Sequence, residues 1–276
     1  MCRAFHSDYP AGVAASDGII PSAKVDIPVR RYSTDADNSA TRIIYFHGGG
    51  FVVGGLESHD AVCAELCSRS KCAVTSVDYR LAPEHPHPAA FNDSVASVLH
   101  ECREYEQSAV LCGDSAGGNL AAAISHTLRD SPVQGVEIKG QVLIYPLLDS
   151  PNPDTEEHNG SYLIHANAPM LTTRDVEYFS MIRTDGKPVD NIVALLPLKD
   201  NNFSDLPKTI AFGAECDPLC DDSQNYCNAI TSDGGVAQFF KEEGLVHGYI
   251  RARHSVDLAR ESFDRIVQAL IELSQD

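Results

Sequence analysis

The chain has 276 residues, 43% of them hydrophobic, which suits one large globular α/β domain or one such domain with an inserted cap. Its 21 Lys and Arg against 39 Asp and Glu give a net charge of −18, which argues against nucleic acid or an anionic membrane as partner and favours uncharged substrates. No apolar run approaches the roughly 18 residues of a membrane-spanning helix, and the N-terminus lacks the apolar core of a secretion signal. We therefore expect a cytoplasmic protein.

The nine cysteines are odd in number and spread along the chain, which is typical of reduced, mostly buried thiols. Two pairs, Cys63 with Cys67 and Cys216 with Cys220, are each four residues apart. A zinc site would usually show tighter C-x-x-C pairs or nearby histidine ligands. We expect no metal and no cofactor.

In the first half of the chain, strands and helices are predicted to alternate. Residues 1–22 contain two prolines and two glycines and are expected to form a poorly structured lead-in or partial cap. Ser58 and Asp60 are candidate caps for the first helix. The predicted strands are 25–32, 42–46, 73–77 and 109–112, and the predicted helices are 59–70, 89–104 and one that ends near 129.

After a strand at 142–145 the regular alternation stops. Residues 149–206 are rich in Pro, Asn and Asp, and we predict that they form an insertion covering the site, with one amphipathic helix at 172–182. The pattern then returns as a strand at 209–213, a helix near 219–232, a strand at 236–240 and a final helix at 254–273.

This alternation predicts one α/β domain over residues 23–276, with a mostly parallel sheet covered by helices on both faces. In such a sheet, functional groups lie at the carboxyl ends of the strands. An exposed last strand at 236–240 favours edge-to-edge pairing with a second copy, so a homodimer is an open expectation.

Residues 110–120 combine a strand, a tight turn and a small-residue helix around the sequence Gly113-x-Ser115-x-Gly117. Such a turn projects the Ser115 hydroxyl from the sheet edge, close to a helix N-terminus. The glycines are needed because side chains there would collide with the neighbouring strand and helix. The motif alone also occurs in ordinary Gly-Ser loops. A base, a carboxylate and oxyanion donors elsewhere in the chain must show whether Ser115 is a nucleophile.

A nucleophilic serine needs a base at the carboxyl end of another strand. Among the histidines, only His247 follows a strand late in the chain and precedes the final helix. An isolated histidine at this point would more often be a loop or capping residue. With the serine turn present, we predict that His247 is the base.

The base in turn needs a carboxylate that fixes its tautomer and stabilises the imidazolium. Asp217, just after the strand at 209–213, is the favoured candidate, although Pro218 beside it is also typical of a plain helix N-cap. The rival carboxylates are Glu215, Asp221 and Asp222. The order Ser115, Asp217, His247 is the order found in α/β-hydrolases.

The oxyanion formed during acyl transfer needs backbone N–H donors. Ala116, directly after the serine, supplies one, and the glycines after the strand at 42–46 supply others without a Cβ in the way. We expect Gly49 and Gly50 to donate, and His47 to hold this loop by hydrogen bonds rather than serve as a second base.

Five motifs now stand together: His47-Gly48-Gly49-Gly50, Asp78-Tyr79-Arg80-Leu81-Ala82-Pro83-Glu84, Gly113-Asp114-Ser115-Ala116-Gly117-Gly118, Asp217-Pro218-Leu219 and His247-Gly248. As a set they resemble the bacterial hormone-sensitive-lipase family of α/β-hydrolases, and within it the GDSAG-type carboxylesterases and acetyl esterases. The resemblance runs from about residue 25 to the C-terminus.

This resemblance implies the α/β-hydrolase fold, a Ser-Asp-His esterase site with oxyanion donors at Gly49, Gly50 and Ala116, and a cap over the acyl pocket. It also implies that Arg80 and Glu84 form internal pairs that brace the site. Family members usually carry a longer N-terminal segment, so we expect either a reduced cap with a more open pocket or a chain that starts late.

We therefore predict a serine carboxylesterase for small, uncharged esters with short acyl chains. The alternatives are an amidase or a deacetylase with the same triad, or a non-catalytic ligand receptor that would typically have lost the base or nucleophile. Candidate pocket residues, with simple core packing as the alternative, are Phe51, Leu148, Tyr162 and Phe179.

Overall fold

The computed structural model describes residues 9–22, 25–35, 39–151, 160–190 and 192–275. Across these residues, eight strands form one sheet in the order β1-β2-β4-β3-β5-β6-β7-β8. The strands are β1 Val13–Ile20, β2 Ile27–Thr34, β3 Thr41–Phe46, β4 Val74–Val77, β5 Ser108–Asp114, β6 Ile138–Ile144, β7 Lys208–Cys216 and β8 Ala237–Val246. The helices are α1 Leu56–Ser70, α2 Ala89–Glu104, α3 Ala116–Asp130, α4 Gly160–Ile164, α5 Thr173–Thr184, α6 Ile192–Leu195, α7 Cys220–Ser232 and α8 Asp257–Gln275.

From β4 to β8 every neighbouring pair of strands is parallel, while β1 and β2 run antiparallel at the other end of the sheet. Helices cover both faces, as the alternating pattern predicted. One apolar layer packs α2, α3 and α7 against the sheet, and the other packs α1 and α8. The parallel strands therefore end at a common edge, where the loops after β3, β5, β7 and β8 meet.

The prediction that residues 1–22 form a poorly structured lead-in is wrong for β1, which pairs with β2 along its full length. Only one of its side chains, Ile20, is fully buried. Backbone hydrogen bonds and the pair between Asp17 and Arg30 hold this edge strand, so its hydrophobic pattern carried little signal. Residues 1–8 lie outside the described part of the chain.

Two further elements differ from their predicted bounds. Helix α1 begins at Leu56 with Gly55 as its N-cap, and the Ser58 hydroxyl accepts from the Gly55 amide within the first turn. The predicted caps Ser58 and Asp60 thus lie inside the helix. Strand β8 continues to Val246, well beyond the predicted end at residue 240, and delivers His247 directly to the carboxyl edge of the sheet.

Between β6 and β7 the chain forms α4, α5, α6 and a short 3-10 helix at Pro197–Lys199. The predicted helix at 172–182 is confirmed as α5. The parts of the predicted insertion at 152–159 and at 191 lie outside the described residues. No helix in the described ranges is long and apolar enough to cross a membrane. Strand β8 is at the edge of the sheet, and its pairing with a second copy stays a prediction.

Candidate active site

Ser115 stands at the sharp turn between β5 and α3, with a left-handed backbone at φ 55° and ψ −117°. A residue other than glycine holds such a conformation only when its surroundings enforce it. A Cβ on Gly117 would lie 1.9 Å from the Phe46 carbonyl oxygen, so this position accepts only glycine. The tight approach of α3 to β3 therefore fixes the turn and exposes the Ser115 hydroxyl.

Three side chains that are distant in the sequence meet at this turn. His247 Nε2 lies 2.9 Å from Ser115 Oγ, and His247 Nδ1 lies 2.7 Å from Asp217 Oδ2. Asp217 is completely buried, whereas the His247 side chain is 12% exposed. With a neutral imidazole, Ser115 donates to Nε2 and the Nδ1–H donates to Asp217, which is the arrangement a general base requires.

Asp217 is not the N-cap of the following helix, because α7 begins at Cys220 with Leu219 as its cap. Its second oxygen, Oδ1, accepts the Leu219 amide at 3.0 Å, which fixes the carboxylate in its loop. The three rival carboxylates are engaged elsewhere. Glu215 accepts from Gly244, Asp221 from Ser161, and Asp222 from Leu148, Asp149 and Tyr162.

The predicted oxyanion donors Gly49, Gly50 and Ala116 line the same cavity as Ser115 and His247. Gly49 and Gly50 have φ values of 130° and 61°, in the range that favours glycine. Their amides donate to no other group in the described part of the chain. Ala116 is the first residue of α3, so its N–H has no partner within the helix. The structure therefore gathers three amides beside the serine.

Asp114 links the serine turn to the glycine loop after β3, which carries the predicted oxyanion donors. Its carboxylate accepts the Gly48 amide at 2.8 Å and the Tyr45 hydroxyl at 2.7 Å, and it lies 3.2 Å from His59 Nε2. Burial opposes the charged form, but His59, the hydrogen bonds and the Arg251 guanidinium together hold the pKa of Asp114 well below its ordinary value. This carboxylate was not predicted as part of the site.

His47 holds the glycine loop, as the sequence predicted. Its ring stacks on Tyr79 with centroids 4.3 Å apart, and its Nδ1 lies 2.8 Å from the Gly48 carbonyl oxygen. Burial and the neighbouring His59 lower the pKa of His47 to about 4, so the ring is neutral at physiological pH. It does not line the cavity and has no contact with Ser115.

The site opens into a cavity of about 570 Å³ whose walls are largely apolar. Of the four predicted pocket residues only Phe179 lines it; Phe51, Leu148 and Tyr162 are buried in the core beneath. The apolar walls come from Val53, Leu147, Met170, Leu171, Val176, Phe179 and Leu219. Five of these seven belong to the segment between β6 and β7, whose path over the sheet no sequence periodicity reveals.

The predicted brace of Arg80 and Glu84 is half wrong. Arg80 donates through two guanidinium nitrogens to Asp93 on α2, at 2.8 and 2.7 Å. Glu84 is exposed, and it forms no ion pair with any described residue. The loop is therefore tied to α2 rather than braced within itself.

No group of three or more His, Cys, Asp or Glu side chains in the described ranges has a geometry that could hold a metal ion. Cys216 is a half-buried free thiol, and the other seven described cysteines are buried free thiols. Burial raises the pKa of several of these thiols, including Cys63 and Cys112, which makes them poor nucleophiles.

A serine on a strand-turn-helix elbow, a histidine after the last strand and a buried carboxylate after the strand before it together define an α/β-hydrolase. A family model of the alpha/beta hydrolase fold matches residues 43–251, which include the serine and the carboxylate and extend just beyond the histidine.

Two relatives and one solved structure that resemble this chain are named esterases. Esterase LipI of Mycobacterium tuberculosis is 35% identical over 237 residues, covering 83% of this chain and 71% of that protein. Carboxylesterase NlhH of the same organism is 33% identical over 256 residues, covering 89% and 78%. The crystal structure of EstE1, a thermophilic carboxylesterase from a metagenomic library, has a TM-score of 0.88 at 30% identity, covering 100% of this chain and 93% of that one. The chain belongs to the hormone-sensitive-lipase-like carboxylesterases of the α/β-hydrolase fold, as its motifs predicted.

Proposed function

We propose that this carboxylic ester hydrolase uses Ser115 as nucleophile, His247 as general base and acid, and Asp217 as the orienting carboxylate, on small uncharged esters with short acyl chains. One observation supports this assignment above all. An unbroken hydrogen-bond chain runs from Asp217 through His247 to Ser115 and ends in a largely apolar cavity.

In the acylation half of the reaction, His247 Nε2 accepts the Ser115 proton as Oγ attacks the ester carbonyl. Asp217 stays ionised and stabilises the imidazolium that forms. The carbonyl oxygen becomes an oxyanion that accepts from the amides of Gly49, Gly50 and Ala116. When the tetrahedral intermediate collapses, His247 gives its proton to the leaving alcohol and Ser115 is left acylated.

In the second half, water replaces the alcohol. His247 takes a proton from the water as its oxygen attacks the acyl carbonyl, and the same three amides hold the second oxyanion. His247 then returns the proton to Ser115 Oγ, which releases the carboxylic acid. The cycle needs no cofactor and uses only groups of this chain and water.

The substrate class follows from the walls of the cavity and from the charge of the chain. Apolar walls favour uncharged acyl and alcohol groups, and a net charge of −18 repels anionic substrates. We further propose that residues 149–206 form the cap of the site, since Leu171, Val176 and Phe179 of that segment line the same cavity as Ser115. Phe179 then limits the length of the acyl chain.

The direct test replaces Ser115 by Ala and measures hydrolysis of p-nitrophenyl acetate. Turnover should fall by at least about 10⁴-fold while the thermal transition is retained. A matched control is Ser125→Ala on α3, the helix that follows Ser115. It removes a buried hydroxyl that does not line the cavity. Near-normal activity of Ser115→Ala would reject the proposal.

Chain length is tested with p-nitrophenyl esters of two to twelve carbons. The acetate and butyrate should be preferred, and Phe179→Ala should shift the preference towards longer chains by roughly tenfold in relative kcat/KM. An unchanged chain-length profile would remove Phe179 from its proposed role. Cleavage of acetyl p-nitroanilide as fast as the ester would favour the amidase alternative.

A further inference from the structure

A single buried guanidinium connects the predicted cap to the rest of the site. Arg183 lies in the last turn of α5 and is only 3% exposed. None of the described carboxylates pairs with it, and burial lowers its pKa, yet the group stays charged at neutral pH. A buried cation without a carboxylate is unfavourable unless other groups hold it in place, so its surroundings need an explanation.

The hydrogen bonds of Arg183 join the predicted cap to the helix that follows the nucleophile. Nη1 donates to the Leu195 carbonyl oxygen at 3.0 Å, and Nη2 donates to Asn119 Oδ1 at 3.0 Å. Asn119 is one helical turn after Ser115 on α3, and its amide nitrogen donates to the carbonyl oxygens of Leu147 and Leu195. The two side chains thus clamp α5, α6 and α3 together.

The flat face of the same guanidinium packs on Phe51, with Cζ 3.5 Å from the ring centroid. Phe51 directly follows Gly50 and is 2% exposed. Its backbone is left-handed, at φ 64°, which is rare and strained for a bulky side chain. Such a conformation persists only where packing enforces it, and Arg183 is the charged group stacked on the ring.

We propose that Arg183 is a positioning residue for ester hydrolysis, which holds Phe51 in its left-handed conformation and thereby aims the Gly49 and Gly50 amides at the oxyanion. The inference rests on the proposed function, because it concerns the same oxyanion donors. Planarity is essential to this role, since one face must stack on Phe51 while the edge donates to Asn119 and Leu195. Lysine has the same charge, but its ammonium group is not planar and cannot stack on Phe51 while it donates to both oxygens.

The experiment compares Arg183→Met, Arg183→Lys, Phe51→Leu and the double variant Arg183→Met/Phe51→Leu. Active sites are first titrated with a p-nitrophenyl phosphonate, so that kcat is counted per functional serine and any unfolded fraction drops out. The matched control is Arg129→Lys, an arginine at the far end of α3 that donates to Asp200 and Asn202 and does not line the cavity.

Removing one oxyanion donor costs about 10²- to 10³-fold in kcat, so a misaimed pair should cost roughly tenfold or more. We expect that loss in kcat for Arg183→Met and Phe51→Leu, with KM for p-nitrophenyl acetate little changed, and nearly the same loss for Arg183→Lys. The pH profile of kcat/KM should keep its shape, because His247 and Asp217 are untouched. The double variant should be no worse than either single one.

In the control Arg129→Lys, kcat per active site should stay within about twofold of the parent chain. The inference is overturned if Arg183→Met or Phe51→Leu also stays within that range. It is also overturned if the two losses multiply in the double variant, because the residues would then act separately. If Arg183→Met does not fold, Arg183→Lys and Phe51→Leu decide the question. Failure of the proposed function has a different signature, namely turnover that survives Ser115→Ala.

Discussion

Two buried aspartates, Asp114 in the cavity wall and Asp222 on α7, have opposite electrostatic surroundings. Asp114 ends β5, directly before Ser115, and its carboxylate accepts the Gly48 amide of the glycine loop. Asp222 lies on α7 and accepts the amides of Leu148 and Asp149 and the Tyr162 hydroxyl, where the chain leaves β6 for the predicted cap. Both carboxylates are buried and receive N–H and O–H donors.

Their charge states differ because their charged neighbours differ. Burial raises the pKa of both, but beside Asp114 the His59 ring and the Arg251 guanidinium more than offset it. The described donors to Asp222 are neutral, and burial together with the carboxylate of Asp149 raises the pKa of Asp222 to about 7. With similar burial, Asp114 therefore stays ionised at neutral pH, whereas Asp222 changes its charge near neutral pH.

The largest effect in this comparison is expected from Asp114→Asn. The change removes the negative charge beside His59 and weakens the hydrogen bonds from Gly48 and Tyr45. The free energy of unfolding at pH 7 should therefore fall by about 3 kcal/mol. Loosening of the Gly48 amide should also lower kcat by about tenfold. Urea unfolding and esterase kinetics measure the two effects.

The acid dependence of the Asp114 contribution has a definite sign. Because the folded pKa lies below the unfolded value of 3.8, the contribution is present above that pH and is lost as the pH falls through the acid range. The difference between the parent chain and Asp114→Asn should therefore shrink in acid. A difference that grows in acid would contradict the charge state assigned to Asp114.

A smaller effect of the opposite sign is expected from Asp222→Asn. The folded pKa of about 7 exceeds the unfolded value of 3.8, so the Asp222 contribution is complete below 3.8 and is lost as the pH rises towards 7. Between pH 5 and pH 7 the parent chain should therefore lose about 2.5 kcal/mol of stability relative to the variant, at up to about 1.4 kcal/mol per pH unit. Urea unfolding at pH 5 and pH 8 tests this; a constant difference would show that Asp222 ionises normally.

The smallest effect is expected from Glu84→Gln, the case of a carboxylate without burial and without an ion pair among the described residues. Stability should change by less than about 0.5 kcal/mol at any pH, and kcat should be unaffected. The matched contrast is Asp93→Asn, which removes the bidentate ion pair with Arg80 and should clearly lower the free energy of unfolding. A loss of stability in Glu84→Gln as large as in Asp93→Asn would show that Glu84 does make the internal pair that the sequence predicted.

The sequence predicted those elements whose own residues carry a strong pattern. The apolar positions Phe91, Val95, Val98 and Cys102 placed α2 at its observed bounds, and continuous apolar runs revealed β3 to β7. Ser115, Asp217 and His247 could be predicted as catalytic residues because each follows a strand, and parallel strands end at one edge. Strand β1 was missed because backbone pairing, rather than a buried face, holds it.

What the sequence did not reveal depends on contacts between distant segments. A charged residue such as Arg183 on an amphipathic helix is expected to face solvent, but here it lies against Phe51, α3 and α6 and is buried. Likewise, nothing in the order of residues indicates that His59 reaches Asp114 or that Val176 lines the same cavity as Ser115. These contacts are set by how the segment between β6 and β7 and the start of α1 fold back over the sheet.

The catalytic assignment is tested most directly by covalent labelling. After incubation with an ethyl p-nitrophenyl phosphonate, mass spectrometry of the digested protein should show one phosphonyl group, on Ser115, in step with the loss of esterase activity. His247→Ala should slow this labelling by several orders of magnitude because the serine proton then has no acceptor. Labelling of another residue, or loss of activity without modification of Ser115, would contradict the account.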